Sequence, residues 1–95
     1  MKLILAIADD ARAAATRKDL SELGAPGWTE LPVTEGSGRT GLHSGDRVHP
    51  GGLALLFAAV EDAAADPLFE ALARRRDAAG DRVTRFYLLP IERQA

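Results

Sequence analysis

The sequence contains no cysteine, which excludes disulfide bonds, thiolate metal sites and thiol chemistry. It also lacks an excess of charge of either sign, because 12 basic residues stand against 14 acidic ones and give a formal net charge of −2. Domains that bind nucleic acid usually show a strong basic excess, so no nucleic-acid partner is predicted. The apolar run over residues 3–8 is too short for a membrane span or a signal peptide. We therefore predict a cytoplasmic protein without direct membrane insertion.

The length bounds the architecture. Ninety-five residues predict a single domain over residues 1–95. A chain of this size buries only about 60–65% of the surface that its unfolded form exposes, so association into an oligomer is expected. A hydrophobic fraction of 46% and a charged fraction of 27% are typical of a globular domain and not of a disordered one.

The first half of the sequence predicts a strand, a helix and a second strand. The continuous apolar run over residues 3–8 is typical of a buried strand. Apolar residues recur at helical spacing from Ala11 to Leu23, and Gly24 is suited to end that helix. Residues 28–35 alternate as in a strand, and Pro32 favours an edge position because proline has no backbone donor.

The second half predicts a strand, a helix and a last strand. The apolar run over residues 53–60 fits a central strand by its length, although its alanines leave a helix open. Asp66 and Pro67 form an N-cap followed by a first helical position, which predicts a helix from there to Gly80. Residues 82–91 complete the order as a strand.

This order, βαββαβ, predicts the fold class. Two strand–helix–strand units with right-handed crossovers place both helices on one face of an antiparallel sheet. The prediction is an α+β, ferredoxin-like two-layer sandwich with a long loop between its second and third strands. Many unrelated functions share this fold, so function has to be argued from particular residues.

The loop over residues 35–52 is the most unusual segment. It holds six of the nine glycines and both histidines. Loops longer than about 12–15 residues without regular structure are uncommon in compact domains, and those that occur are usually functional or disordered. We interpret the loop as functional; the alternative is a mobile surface connection without a role.

Two groups of residues could bind an anion. The segment from Gly36 to Gly41, GSGRTG, could turn backbone N–H groups toward an anion, with Arg39 as a bidentate partner. It lacks the Lys-Ser/Thr ending of a P-loop, so an ordinary turn is a competing interpretation. Arg82 and Arg85 could extend a basic patch with residues 74–76, whose three arginines also complement the negative end of a helix dipole.

The two histidines suggest a different ligand. His43 and His49, with Asp46 between them, are residue types that bind zinc, nickel or copper, whereas a closed site needs three or four ligands. Two loop histidines are also common as solvated polar residues.

No nucleophile–base pair and no carboxylate pair on a rigid element are evident, so no enzymatic activity is predicted. Trp28 is expected to lie in the core or in a subunit interface.

Three segments resemble the PII signal-transduction family. In that family a helix ends in a Gly-x-x-Gly-hydrophobic-Thr turn, and residues 24–29, GAPGWT, match it. An edge strand then leads to the Gly-x-Gly-Arg entry of the family's T-loop, matched here by residues 36–39, GSGR. Residues 89–92, LPIE, are similar to the Pro-Val-Glu of the closing strand, and the element order agrees over nearly the whole chain.

The resemblance implies a homotrimer with ligand clefts between subunits, in which ATP or ADP binds and the T-loop engages enzymes, transporters or transcription regulators. Some relatives accompany membrane transporters, including metal-efflux systems. Thr29, Gly38 and Arg39 match residues near the nucleotide in the family. The full set of expected ligand-binding residues is Thr29, Gly36, Gly38, Arg39, Thr40, Arg82 and Arg85.

The chain departs from the family at three points. The glutamine that follows Gly-Arg is Thr40 here, and the loop has no tyrosine for uridylylation. The family's phosphate loop, Thr-Gly-x-x-Gly-Asp-Gly-Lys, is reduced to Ala79-Gly80-Asp81-Arg82 here. Arg82 and Arg85 could partly replace the positive charge of the family's loop. We therefore expect a divergent PII-like sensor of an unidentified ligand. A metal-binding module using the loop histidines and a structural trimer without a ligand are the alternatives.

Overall fold

The structure is a computed structural model of the chain. It describes residues 1–33 and 52–95, and between them the backbone of residues 36–38 and 41–43.

Four strands form one antiparallel sheet. They are β1 (Lys2–Asp9), β2 (Thr29–Pro32), β5 (Leu53–Val60) and β6 (Arg85–Pro90), in the spatial order β2–β5–β1–β6. Ile7 of β1 lies opposite Leu55 of β5 on one side and Arg85 of β6 on the other. The predicted ferredoxin-like arrangement is thus confirmed, and the run over residues 53–60 is a strand and not a helix.

The first helix, α1 (Ala13–Glu22), follows a short 3-10 turn over Asp10–Arg12. The Asp9 side chain accepts a hydrogen bond from the backbone N–H of Ala11 at 3.3 Å, so the chain leaves β1 through a capped turn. The helix was predicted to start at Ala11, two residues early, because this first turn is 3-10 and not α. Gly24 ends it with φ of +90°, the left-handed conformation that glycine adopts without strain.

The predicted start of the second helix was wrong. Helix α2 runs over Asp62–Ala78, one turn earlier than Asp66, and Pro67 lies inside it. The alanines at residues 63–65 favour helix, and Ala65 is completely buried, so packing extends the helix backward. Pro67 has no N–H to donate to the carbonyl of Ala63, so the helix lacks one hydrogen bond near its N-terminus.

Both helices cover the same face of the sheet. Alternate residues of β1 and β5 point into this layer, and they meet the buried side of each helix in one apolar core. Its buried members are Ile4, Ala6, Ala8, Ala13, Leu20, Ala54, Leu56, Ala58, Val60, Ala65, Leu68 and Leu72. Arg75 of α2 also bridges the helices, since its Nη1 lies 3.0 Å from an oxygen of Asp19 and 2.6 Å from an oxygen of Glu22.

The opposite face of the sheet, here called the open face, is covered by neither of the two helices that the structure describes. It is largely apolar, although Thr29 and Arg85 also lie on it, because the register pairs Thr29 with Phe57 and Arg85 with Ile7. Its apolar members are Leu3, Leu5, Ile7, Leu31, Leu53, Leu55, Phe57, Ala59, Tyr87 and Leu89. Leu31, Tyr87 and Leu89 are exposed in the single chain. Monomeric proteins rarely leave so continuous an apolar surface uncovered.

The loop predicted over residues 35–52 contains regular structure. Two short strands, β3 (Gly36–Gly38) and β4 (Gly41–His43), pair antiparallel, with Gly36 opposite His43 and Gly38 opposite Gly41. Part of the predicted loop is therefore strand, although no apolar periodicity marks it in the sequence. Polar residues and glycine dominate both strands, so neither shows the apolar alternation by which strands are recognised.

No helix in the described parts of the chain combines the length and the apolar character needed to cross a membrane.

Candidate anion-binding site

Three connections meet at one end of the main sheet. The N–H of Val33, just after β2, donates to Leu53 O at 3.2 Å, and the N–H of Asp10, just after β1, donates to Gly52 O at 2.8 Å. Arg85 begins β6 at the same end, opposite Ile7. Both ends of the segment over residues 34–51 and the turn that precedes β6 therefore leave the sheet side by side.

The turn before β6 is built around the carboxylate of Asp81, whose side chain is only 3% exposed. This carboxylate accepts hydrogen bonds from the backbone N–H groups of Val83, at 2.9 Å, and Thr84, at 3.0 Å, and from the Thr84 hydroxyl. The Thr84 hydroxyl oxygen in turn accepts from the backbone N–H of Asp9 at 3.2 Å. A chain of hydrogen bonds thus fixes the turn to the end of β1.

The environment of Asp81 holds its carboxyl group ionised. Burial acts most strongly and raises the pKa, but the hydrogen bonds from Thr84 and Val83 and the charge of Arg12 oppose it, so the pKa of Asp81 lies below its ordinary value. Arg12 Nε lies 3.8 Å from a carboxylate oxygen of Asp81. This Nε is buried and has no hydrogen-bond partner among the described residues, so Arg12 acts on the carboxylate through its charge.

Two other arginines converge on the outer side of the same turn. Arg76 Nη1 of α2 donates to the Thr84 carbonyl at 3.4 Å, and Arg85 Nη1 donates to that same oxygen at 3.2 Å. Arg85 Nη1 also donates to the carbonyl of Arg82 at 3.1 Å. The guanidinium of Arg76 is further placed by the Phe86 ring, whose centroid lies 5.6 Å away. Two cationic groups therefore lie together where β6 begins.

The predicted ligand-binding residues fall into separate places. Arg82 and Arg85 lie at the β6 edge, where Arg82 is exposed. Thr29 begins β2, which forms the opposite edge of the sheet, and two strands lie between. With strands about 4.8 Å apart, Thr29 and Arg85 are separated by roughly 14 Å across the sheet. One chain by itself does not bring these two parts of the predicted site together.

The remaining predicted positions lie in the segment between β2 and β5. Gly36 and Gly38 are backbone positions of β3. Arg39 and Thr40 fall outside the described residues, so their role stays a prediction.

The metal hypothesis also stays a prediction. His43 ends β4, whereas His49 and Asp46 fall outside the described residues. Among the residues that the structure describes, no group of three or more histidine, aspartate or glutamate side chains is arranged to hold a metal. Trp28 is not a core residue, as it is exposed and its indole N–H donates to the Ser21 hydroxyl oxygen at 3.4 Å. A place in a subunit interface remains its predicted role.

Sequence reasoning missed the residues that build this site. Asp81, Thr84 and Arg12 were not predicted to interact, and Arg76 was assigned to a basic patch and to the helix dipole without a contact to the turn before β6. The signal for the first pair is present, since aspartate commonly accepts hydrogen bonds from backbone groups two or three residues later in a turn. Nothing in the local sequence indicates that Arg12, 69 positions earlier, would lie beside Asp81.

The strand order and the two helices on one face of the sheet define an α+β domain of the ferredoxin-like class. The family model described as nitrogen regulatory protein P-II matches residues 1–93, and the chain belongs to that family. Comparison with curated proteins gave no match.

Solved structures of PII-like proteins share the fold. CPII from Thiomonas intermedia K12, determined with ADP, AMP and bicarbonate, has 21% identity and a TM-score of 0.73, covering 95% of this chain and 90% of that one. A DUF3240 family protein from Shewanella baltica has 19% identity and a TM-score of 0.75, with coverages of 99% and 92%. A PII-like protein from Thermus thermophilus has 20% identity and a TM-score of 0.64, with coverages of 92% and 81%.

Proposed function

We propose that this protein is a PII-like regulator that binds a small anionic ligand in clefts between its subunits. Ligand binding then changes the conformation of the segment over residues 35–52, through which the protein controls a partner enzyme or transporter. Family membership supports the regulatory class. The observation that carries the ligand class is the convergence of Arg76 and Arg85 on the Thr84 carbonyl, at the same end of the sheet as the ends of that segment. The proposed function includes no enzymatic step, and we propose that the protein acts in the cytoplasm.

The proposed assembly is a homotrimer in which the open face is covered. This face is largely apolar from edge to edge, and it includes three exposed large side chains, Leu31, Tyr87 and Leu89. Burying apolar surface contributes about 25 cal/mol per Å², so a second copy would gain most by packing there. Assembly would also let Thr29 of one subunit meet Arg85 of another, which a single chain does not do.

The assembly can be tested with Tyr87→Glu. Tyr87 is 46% exposed in the single chain, so a charge there is tolerated by the fold but is expensive in a covered interface. We expect wild-type protein to elute as a trimer in size-exclusion chromatography with light scattering, and Tyr87→Glu to elute as a monomer with an unchanged circular dichroism spectrum. Ala14→Glu, an exposed change on α1, is the control and should remain trimeric. A trimeric Tyr87→Glu protein, or a monomeric wild type, would reject the proposed interface.

Ligand binding is tested by thermal shift with ADP, ATP, sodium bicarbonate and 2-oxoglutarate. The solved structures of CPII hold ADP with bicarbonate, which supports including both. A ligand at 100 times its dissociation constant stabilises the folded protein by about 2.7 kcal/mol, an easily measured shift. We expect at least one of these compounds to raise the unfolding temperature, and Arg39→Ala to reduce that shift. No shift with any of the four would contradict the proposed function.

A further inference from the structure

A cleft lies between residues 23–26, which follow α1, and residues 60–71, which include the first turns of α2. It is here called the helix cleft. We propose that the helix cleft binds a small ammonium compound with an apolar body. The cleft lies at the end of the sheet where Val60 pairs with Lys2, whereas the candidate anion-binding site lies at the other end, where Leu53 pairs with Asp9. The inference is therefore independent of the proposed anionic ligand.

The helix cleft exists because the two helices differ in length. Helix α1 has 10 residues and α2 has 17, so at 1.5 Å per residue α2 is roughly 10 Å longer. Beyond Glu22 the chain continues through Gly24 and Pro26 without regular structure. This segment faces the first turns of α2 and leaves a space of about 510 Å³ between them. Binding sites for small molecules commonly measure about 300–1,000 Å³.

The walls of the helix cleft are apolar and largely fixed. Val60 and Leu68 line it and belong to the buried core. The wall formed by the end of α1 is held in place, since the N–H of Ala25 donates to Leu20 O at 2.9 Å. Proline has a fixed φ on both sides of the cleft, so little conformational freedom is lost when a ligand binds. The other apolar lining residues are Leu23, Pro26, Ala64, Pro67 and Ala71.

The charge in the helix cleft is negative. Glu61 is the one charged residue among the described residues that line it. In the described parts of the chain, no basic nitrogen lies within 4.0 Å of the Glu61 carboxylate. The nearby cations act on Asp62 instead, because the Met1 ammonium lies 2.6 Å from its carboxylate and the charge of Lys2 also acts on it. The Glu61 carboxylate is therefore available to a cationic ligand.

The end of α1 adds negative charge of its own. Leu23 and Gly24 directly follow α1 and line the cleft. The last carbonyl groups of a helix carry a partial negative charge, equivalent to about half an elementary charge. The opposite partial charge at the start of α2 is offset by Asp62 in its first turn. An ammonium group on an apolar body thus fits the cleft, whereas a carboxylate of the same size would meet charge of its own sign.

The test compares three probes that share one hydrocarbon chain, namely hexylammonium chloride, 1-hexanol and sodium hexanoate. Each is titrated into wild-type protein at constant ionic strength and followed by two-dimensional ¹H–¹⁵N NMR. We expect hexylammonium to bind most tightly and hexanoate most weakly, with the largest shift changes at the amides of Leu23, Gly24 and Ala64. Hexylammonium that binds no more tightly than hexanoate, or shift changes confined to other surfaces, would overturn the inference.

The role of the charge is tested with Glu61→Gln. This variant should weaken hexylammonium about threefold to fivefold, as expected for an exposed charge pair, and leave the affinity for 1-hexanol unchanged. Its fold should be unaffected, since the Glu61 side chain makes no capping hydrogen bond to α2. Glu70→Gln is the matched control, because it removes an exposed carboxylate of α2 that does not line the cleft. Equal affinities for hexylammonium in Glu61→Gln and wild type would reject the cationic ligand class.

The role of the space is tested with Ala64→Leu. The larger side chain occupies the cleft, so both hexylammonium and 1-hexanol should bind about tenfold or more weakly. Ala63→Leu is the matched control, because Ala63 is also exposed on α2 but does not line the cleft. Undiminished binding to Ala64→Leu would overturn the inference. None of these outcomes bears on the proposed anionic ligand, which is tested with other probes at the other end of the sheet.

Discussion

Replacing Asp81 by alanine is expected to lower the free energy of unfolding by at least about 2 kcal/mol, because hydrogen bonds to a charged group contribute about 1.5–3 kcal/mol each. The change removes the acceptor of three such bonds, from two backbone N–H groups and the Thr84 hydroxyl. It also leaves Arg12 without the carboxylate that its buried Nε faces at 3.8 Å. Urea unfolding followed by circular dichroism measures the loss.

The control for this prediction is Glu70→Ala, which removes the same charge from an exposed position of α2. It should change the free energy of unfolding by no more than about 0.5 kcal/mol. If Asp81→Ala lowers the free energy of unfolding no more than this small change, the turn before β6 contributes little to stability.

The contribution of Asp81 should also depend on pH. Its folded-state pKa is lowered, so the stabilisation is fully present above the ordinary unfolded value of about 3.9. It is lost as the pH falls through the lower folded-state value, where the carboxylate takes up a proton. The difference in unfolding free energy between wild type and Asp81→Asn should therefore be constant near neutral pH and shrink below about pH 4. A difference that grows on acidification would contradict this account.

Truncating Leu72 to alanine is expected to have the second large effect. Leu72 is 1% exposed and lies in α2 against the sheet, where a leucine-to-alanine change costs about 2–5 kcal/mol. Helix propensity cannot explain such a loss, because alanine is the better helix former of the two. In a domain whose total stability is about 5–15 kcal/mol, the unfolding midpoint should drop well below that of wild type.

Arg74→Ala is the matched control for Leu72, since it makes an alanine two positions away on the exposed side of the same helix. It should change stability by about 0.5 kcal/mol or less. If both variants unfold at the same denaturant concentration, the packing of α2 described above is incorrect.

Much of the fold could be predicted because the length and spacing of apolar segments reflect which residues are buried. The run over residues 53–60 alternates between the core and the open face, and both kinds of position are apolar, so its length and not an alternation of apolar and polar residues indicated the strand. The start of α2 was misplaced because local capping rules favour Asp66–Pro67, whereas burial of Ala65 against the sheet decides the actual boundary. Tertiary packing here outweighs a local signal.

The site was less accessible to sequence reasoning. Arg82 and Arg85 were identified as candidate anion-binding residues by their charge, which can be read directly from the sequence. The roles of Arg76 and Arg12 depend on contacts across the fold, since Arg76 meets the carbonyl of Thr84 and Arg12 meets Asp81 only after α2 and β6 pack beside β1. Likewise, the separation of Thr29 from Arg85 follows from the strand order, which the element sequence alone does not state.

The buried carboxylate of Asp81 has a consequence for ligand discrimination. It is a competitor covalently attached to the turn, so its effective concentration at the two N–H groups is fixed by geometry and does not fall when the protein is diluted. A free phosphate group, by contrast, competes only at its cellular concentration. An external anion that needs these N–H groups must therefore displace an acceptor of the same chain, whatever the concentration of the protein.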